Sequence, residues 1–149
     1  MPTNWILKKF DELSVAELYA IMQLRNEVFV VEQNCPYQDA DGKDEMSCHL
    51  CGWQEGELVA YCRIIPPGIS YDEASIGRVV TSPAHRKSGI GRELMQIGIV
   101  KTYSLFSTDR IQIGAQHYLE KFYNSLGFTA VGDPYLEDGI PHLHMLLKK

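Results

Sequence analysis

The spacing of apolar and polar residues changes several times along this chain, and each change predicts a new element. Residues 5–10 indicate an edge strand, although apolar and polar positions alternate poorly there. Ser14 and Glu17 have the spacing of a capping box, which predicts a helix that reaches the neighbourhood of Glu32. The residues on its apolar face recur at helical spacing and are Leu18, Ile21, Met22, Arg25 and Phe29.

A polar and acidic segment over residues 33–48 follows this helix. It contains Pro36 and Gly42, so we predict a long loop. A loop of this length inside a compact domain is usually functional or mobile.

The remaining segments alternate between strand and helix patterns. The β-rich runs 49–54 and 58–65 flank a hairpin signal, and residues 75–81 predict the next strand. A glycine-rich turn then leads into a helix with two apolar stripes, which indicates deep packing. The last predicted elements are a strand at 111–115, a helix that ends at Gly127, and strands at 128–131 and 142–147. The predicted order is β-α-β-β-β-α-β-α-β-β.

Composition and charge exclude several classes of protein. The 149 residues are enough for one domain over 1–149 with a core that needs no disulfide or metal. No apolar stretch approaches the roughly 20 residues that span a bilayer, and no signal-peptide core is present, so we predict a cytoplasmic protein without a membrane partner. The formal net charge of −5 argues against a nucleic-acid surface. Positive charge near the glycine-rich turn is local, which suits one small polyanionic ligand. The basic residues there are Arg78, Arg86, Lys87 and Arg92.

Neither the cysteines nor the clustered aspartates have the spacing of a metal site. The four cysteines are too few for a disulfide scaffold, and Cys48 and Cys51 have no second ligand pair of matching spacing. We expect small buried thiols. If Asp39 began a calcium loop, Lys43 would stand at an oxygen-ligand position and Leu50 at the closing Glu position. We predict no metal.

The most informative stretch is residues 79–94, VVTSPAHRKSGIGREL. An apolar run ends, the basic pair 86–87 follows, and Gly89 and Gly91 begin an amphipathic segment. A helix start presents unpaired N–H groups and a partial positive charge, and glycines let a phosphate approach the backbone. A Walker loop would need its basic residue after the glycines, and a dinucleotide fingerprint would need glycine where Leu94 stands. The stretch therefore predicts an anion-binding turn of another kind.

Four segments resemble one known superfamily. The pattern Arg86-x-x-Gly89-x-Gly91 resembles the pyrophosphate-binding signature of the GCN5-related N-acetyltransferases, or GNATs. Residues 114–128 resemble the second GNAT motif, in which a strand leads into a helix with a Phe-Tyr pair that is closely followed by Gly-Phe. Residues 24–49, with 137–142, resemble the ElaA-like branch of the superfamily. The resemblance covers nearly the full chain.

This resemblance implies a fold and a co-substrate. The fold is of the α/β (α+β) GNAT type, a central mixed and mostly antiparallel sheet flanked by helices, and the co-substrate is acetyl-CoA. In this family a backbone N–H of the strand before the turn, here 78–81, stabilises the oxyanion, and the pantetheine arm pairs with the same strand. The implied cofactor-binding residues are Val79, Val80, Thr81, Arg86, Lys87, Ser88, Gly89, Ile90, Gly91, Arg92, Gln116 and Phe122.

Acetyl transfer to an amine needs two proton-transfer groups. The ammonium must lose a proton, and the departing thiolate must gain one. Tyr123 occupies the position that resembles the family's general acid. For the base, the sequence offers candidates without a decision: Glu32, whose pKa partial burial would raise, ranks first, and His142 ranks second. His49 also titrates in a useful range, and proton loss to water without a dedicated base stays open.

The resemblance implies direct acetylation of a primary amine on a small molecule or peptide. The carboxylates over 39–45 favour a cationic acceptor, although such a run is commonly only a solvated surface. Two alternatives stay open: a catalytically silent acyl-CoA-binding or sensor module, and a thiol enzyme with Cys48 or Cys51 as nucleophile. The sequence determines neither the acceptor nor the oligomeric state, and it is compatible with a homodimer.

Overall fold

The elements form in the predicted order in the computed structural model, which describes residues 2–149. The strands are β1 (Asn4–Lys9), β2 (Cys48–Gln54), β3 (Glu57–Ile65), β4 (Ser75–Thr81), β5 (Arg110–Gln116), β6 (Thr129–Glu137) and β7 (Ile140–Lys148). The α-helices are α1 (Val15–Arg25), α2 (Ile90–Phe106) and α3 (Glu120–Ser125). A π-helical stretch over Asn26–Glu32, called here the π segment, continues α1.

The first helix begins and ends as its sequence predicts, but its last part is π-helical instead of α-helical. The Ser14 hydroxyl accepts the Glu17 N–H at 3.0 Å, and the Glu17 carboxylate accepts the Ser14 N–H at 2.8 Å, so the capping box is confirmed. From Asn26 onward the turns are π-helical, a conformation that is rare and frequently found at functional sites. The predicted end near Glu32 is confirmed.

The strands form two antiparallel sheets that touch at one place. One sheet has the order β1-β2-β3-β4 and the other the order β5-β7-β6. They meet through a parallel bridge between Ala74 and Ile111, where the Gln112 N–H donates to the Ala74 carbonyl at 3.0 Å. Beyond this bridge, the ladders described for residues 2–149 contain no pairing between β4 and β5. The expected mixed, mostly antiparallel arrangement is confirmed, with a seam in its middle.

The last two strands are longer than predicted. Residues 132–134 do not end β6, because they form an irregularity between Val131 and Tyr135 and the pairing with β7 then resumes. Proline is tolerated there because β6 lies at the edge of its sheet and needs no second ladder donor. Asp138 and Gly139, both with positive φ, form the two-residue turn of a β6–β7 hairpin.

Two apolar clusters lie on opposite faces of the first sheet. The larger packs α2 against both sheets, and Leu94 and Met95 of α2 are fully buried in it. The smaller packs α1 against β3 and β4 around Ile21, Tyr61 and Val80. The predicted deep packing of the helix after the turn is therefore confirmed.

A buried cluster of charges lies beneath the loop between the π segment and β2. We call it the Arg–Asp frame, and its members are Arg25, Arg63, Arg78, Asp39, Asp41 and Asp44. Arg25, with no exposed surface, donates to Asp39 at 2.6 Å and to Asp44 at 2.7 Å. Arg63 donates to Asp44 at 3.0 Å and to both oxygens of Asp41 at 2.7 and 2.8 Å. The Arg78 Nε donates to Asp39 at 2.8 Å.

These contacts keep Asp44 ionised. Burial alone would raise the pKa of Asp44, but the guanidinium groups of Arg25 and Arg63 hold that pKa below its usual range. His49 completes the cluster in its neutral form, because burial lowers its pKa. Its Nε2–H donates to the Asp44 carbonyl at 2.9 Å, so its Nδ1 accepts the Tyr61 hydroxyl at 2.6 Å. His49 is therefore a satisfied structural residue.

Removing a charge from this frame should destabilise the protein strongly. We expect Arg25→Met to lower the free energy of unfolding by about 3–5 kcal/mol, because Asp39 and Asp44 would stay buried while each loses one of its two arginine partners. Lys8→Met is the control, since its pair with Glu17 is partly exposed, with side-chain exposures of 33% and 21%. In the same denaturant titration, the control substitution should lower the free energy of unfolding by less than about 1 kcal/mol. Equal losses in the two variants would contradict the prediction.

Candidate functional site

A cleft of about 670 Å³ lies where β4 and β5 separate. Its walls are β4 from Ile76 onward, the C-terminal half of β5, the π segment, the turn before α2, α3 and the β6–β7 hairpin. Because β4 and β5 are the facing edges of their sheets, each has backbone N–H and C=O groups without a strand partner there, within the described residues. An extended ligand can therefore pair with either edge.

Residues 79–81 of β4 all line the cleft. The side chains of Val79 and Val80 pack on opposite faces of the sheet, Val79 toward α2 and Val80 toward α1. Their apolarity thus follows from the core, and what they offer the cleft is backbone. Thr81 ends the strand, and its methyl group lies above the start of α2.

The turn before α2 has the geometry that its sequence predicts. Lys87 and Gly89 have positive φ values of 69° and 82°, and Gly89 is the N-cap of α2. No side chain caps this helix among the described residues. The first helical hydrogen bond runs from the Glu93 N–H to the Gly89 carbonyl at 3.1 Å. The N–H groups of residues 90–92 come before it and therefore have no carbonyl partner within the helix. They are available to an anion.

Space at this helix start is open. A Cβ at Gly91 would meet only the Thr81 methyl group, at 3.8 Å, and one at Gly89 would meet nothing within 4 Å. The Ser88 hydroxyl donates to the His85 carbonyl at 2.7 Å, which closes the turn. Arg92 donates to the Ser125 hydroxyl at 2.6 Å and lies 5.6 Å from the Phe122 ring centre. These contacts join the start of α2 to α3.

Arg86 is held across the mouth of the cleft by Glu32. Its two terminal nitrogens donate to the two carboxylate oxygens at 2.7 and 2.6 Å, and the side chains are 39% and 42% exposed. This hydrogen bonding lowers the pKa of Glu32. The expectation that burial raises the pKa of Glu32 is therefore wrong, because the residue is exposed and paired with a cation. Nearby, the side-chain amides of Gln33, which follows the π segment, and Gln116, which ends β5, are 3.4 Å apart.

Tyr123 lies on the opposite wall, on α3. It is 5% exposed, lines the cleft and packs edge-on against Phe122 and Phe128. Burial raises the pKa of its phenol. A phenol in this environment keeps its proton, so it can act as a proton donor and not as a base.

His142 lines the cleft from β7. It is 7% exposed, and its Nδ1–H donates to the Ile140 carbonyl at 2.7 Å, which leaves Nε2 as the free nitrogen. That nitrogen lies 3.5 Å from a carboxylate oxygen of Glu137, which also lines the cleft. The structure thus brings Tyr123 and His142 to one cleft and places His49 outside its lining.

The acidic loop does not offer free carboxylates to a cationic acceptor. Asp39 and Asp44 are buried in the Arg–Asp frame, and Arg63 binds Asp41 through two hydrogen bonds. Neither interpretation from the sequence, an acceptor-attracting run or a solvated surface, describes these three residues. The reason is that their arginine partners come from distant elements.

The thiols have the character expected of buried cysteines. All four are free, and three of them, Cys35, Cys51 and Cys62, are buried while Cys48 is half-buried. Burial raises the pKa of Cys51 to about 12 and also raises that of Cys48. Neither thiol lines the cleft, so the structure does not favour a thiol nucleophile.

Several residues of the cleft are absent from the sequence-based site. Cys35 and Tyr37 follow the π segment, and Glu137, Asp138 and Ile140 belong to the β6–β7 hairpin. Only the resemblance of residues 24–49 and 137–142 to one branch of a superfamily pointed to these two segments. Spacing carries no other signal, because long-range folding brings them together.

Residues 2–149 contain neither a metal-binding cluster nor a membrane-spanning helix. No three His, Cys, Asp or Glu side chains in residues 2–149 are grouped so that they could hold a metal ion. No helix within those residues has the length and apolarity needed to cross a membrane.

Comparisons with known proteins agree with this geometry. A family model described as an acetyltransferase (GNAT) domain matches residues 12–149. Protein ElaA of Escherichia coli is 46% identical over 144 residues, 95% of this chain and 94% of that protein. A UPF0039 protein of Synechocystis is 44% identical over 149 residues, 99% of this chain and 97% of that one.

Solved structures match over almost their whole length. An acyl-CoA N-acyltransferase from Pseudomonas aeruginosa superposes with a TM-score of 0.93 at 42% identity, covering 98% of this chain and 99% of that one. The crystal structure of Escherichia coli ElaA also gives a TM-score of 0.93 at 42% identity, covering 99% of this chain and 100% of that one.

The Arg86–Glu32 pair should compete with an anion at the turn. We expect Glu32→Gln to tighten pyrophosphate binding about two- to fivefold, because an exposed ion pair of roughly 0.2–1 kcal/mol no longer has to be broken. Isothermal calorimetry in metal-free buffer measures the affinity. Glu55→Gln, which removes the same charge from the β2–β3 turn, is the control and should leave it unchanged. Unchanged or weaker binding by Glu32→Gln would show that the pair does not restrain Arg86.

Proposed function

This chain belongs to the GCN5-related N-acetyltransferase family of acyltransferases, and we propose that it transfers an acetyl group from acetyl-CoA directly to a primary amine of a small molecule or peptide. One observation carries the proposal. The uncapped start of α2, the unpaired edge of β4 and the buried phenol of Tyr123 all border one cleft. Such a cleft offers a diphosphate site, an edge for an extended arm and a proton donor together.

The turn and the two strand edges suit acetyl-CoA. We propose that the backbone N–H groups of residues 88–92 bind the diphosphate, with Arg86, Lys87 and Arg92 supplying positive charge. The pantetheine arm then lies along residues 79–81, with Gln116 and Phe122 on the other side of the cleft. This site needs no metal.

Tyr123 and His142 suit the two proton transfers. We propose that Tyr123 is the general acid that protonates the departing thiolate, since its phenol lines the cleft opposite the β4 edge. We propose His142 as the base ahead of Glu32, because the His142 ring is oriented by its bond to the Ile140 carbonyl, whereas both carboxylate oxygens of Glu32 accept from Arg86. Glu32 instead restrains Arg86. Direct attack by the amine uses only these two groups, and no cysteine enters the mechanism.

Three further expectations from the sequence stay predictions. They are a single acetyltransferase domain over residues 1–149, a cytoplasmic location without nucleic-acid partners, and a homodimer as one compatible oligomeric state. The identity of the amine is not predicted.

A panel of amines tests the proposed activity. With acetyl-CoA present, release of free CoA in the presence of an amine should identify at least one acceptor. Gly91→Asp should abolish this release and weaken acetyl-CoA binding about tenfold or more, because a carboxylate would stand where the diphosphate approaches. Gly91→Ala, whose Cβ would meet only the Thr81 methyl group at 3.8 Å, adds bulk without charge and should weaken binding less than Gly91→Asp does. Tight acetyl-CoA binding without release for any amine would favour the silent binding module instead.

Tyr123→Phe tests the general acid. We expect single-turnover rates to fall about 10²- to 10⁴-fold, or roughly 3–5 kcal/mol of transition-state stabilisation, with an unchanged melting temperature. Because its pKa is raised, the loss of the Tyr123 proton lies above the working range, so the variant should lower the pH–rate plateau without moving its limbs. Tyr103→Phe, on α2 and outside the cleft lining, is the control. A rate within about twofold of the parent would remove Tyr123 from the mechanism.

A further inference from the structure

β4 contains one residue more than the part of β3 that it pairs with. Gly77 lies opposite Arg63 and Val80 lies opposite Tyr61. Two β4 residues, 78 and 79, therefore face the single β3 residue between those pairs. This is a β-bulge, and it lies on the strand that borders the cleft.

Arg78 occupies the bulge in a conformation that most residues avoid. Its φ is +49°, in the left-handed region where the Cβ of an L-residue crowds the following carbonyl oxygen. Bulges that need this conformation usually carry glycine. An arginine there requires a compensating interaction.

The bulge decides which backbone groups of β4 face the cleft. Ile76 and Val80 would share a face in a regular strand, but they pack in the two different apolar clusters, so the alternation reverses between them. After the reversal, the Ser82 N–H donates to the Val59 carbonyl of β3 at 2.8 Å. Because N–H directions alternate along a strand, the N–H groups of Val79 and Thr81 share one direction, away from β3 and toward the cleft. Loss of the bulge would slip this end by one residue and reverse that direction.

The compensating interaction comes from Asp39. One of its oxygens accepts the Arg78 Nε–H at 2.8 Å and the Tyr37 hydroxyl at 2.8 Å. Its other oxygen accepts from the fully buried Arg25 at 2.6 Å. The side chain of Asp39 is only 3% exposed, so it is a fixed anchor. The Arg78 guanidinium also lies 5.9 Å from the Tyr37 ring centre.

We infer that Arg78 is a positioning residue for acetyl transfer: its ion pair with Asp39 holds the β4 bulge, and the bulge aims the N–H of the next residue, Val79, at the thioester carbonyl. The inference rests on the proposed function, because it assumes that the acetyl group lies beside this strand. It assigns Arg78 no contact with the reacting atoms. Its effect passes entirely through the backbone.

Two variants at this one position separate the backbone role from the charge. Arg78→Ala and Arg78→Gly both remove the guanidinium, but glycine adopts positive φ without crowding and alanine does not. The bulge should therefore persist in the glycine variant and be depopulated in the alanine variant. We expect single-turnover acetyl transfer to be about tenfold slower in Arg78→Ala than in Arg78→Gly.

A spectroscopic measurement makes the test independent of the acceptor. The infrared carbonyl band of isotope-labelled acetyl-CoA should move to lower frequency on binding to the parent protein, since a hydrogen bond from an N–H polarises the carbonyl. We expect Arg78→Gly to keep this shift and Arg78→Ala to lose it. Ser75, at the regular start of β4, provides the control pair, for which the glycine variant should melt below the alanine variant. At position 78 the glycine variant should instead melt at a higher temperature than the alanine variant.

Two outcomes overturn the inference. If both Arg78 variants keep the band shift and the parent rate, the ion pair positions nothing. If both variants lose the band shift and the parent rate equally, acetyl transfer needs the guanidinium for a reason other than holding the bulge. Failure of the parent to bind acetyl-CoA would instead refute the proposed function. In that case the bulge is still measurable, because the amide contact between Val80 and Tyr61 in nuclear Overhauser spectra should be lost in Arg78→Ala and kept in Arg78→Gly.

Discussion

The architecture around the cleft depends on the buried ion pairs of the Arg–Asp frame. Arg25 comes from the end of α1, Arg63 from β3 and Arg78 from β4, and their aspartates all come from one loop. Buried charges are costly unless each has a partner of opposite sign. The loop can therefore fold only in the place where all three arginines meet it, and this requirement fixes the π segment above β4.

Two ion pairs of the same chemistry have different consequences because of burial. The contact between Arg25 and Asp39 is shielded from water, so it acts as a fixed part of the scaffold. The contact between Arg86 and Glu32 is exposed, so it is screened by salt and exchangeable. One holds the wall of the cleft, and the other holds a side chain that a ligand can recruit. Exposure, and not the residue types, separates these two roles.

Local signals explain what the sequence predicted well. The capping box at Ser14 and the paired glycines at the start of α2 act over a few residues, so their structure could be predicted without the fold. The partners of Glu32 and Asp39 could not, since Arg86 lies 54 residues from Glu32 and Arg78 lies 39 residues from Asp39. Arg25 shows the boundary between the two cases: its helical spacing placed it on the apolar face, but spacing does not say which anions meet it there.

The seam between β4 and β5 links ligand binding to the stability of the whole chain. Each sheet ends there in an edge that it cannot complete from its own strands. A ligand that bonds to both edges would turn two sheets into one continuous surface, and it would be released on unfolding. Any ligand that binds only the folded state raises the free energy of unfolding with its own concentration. The fraction of this chain that stays folded would then follow the supply of the molecule that fills its seam.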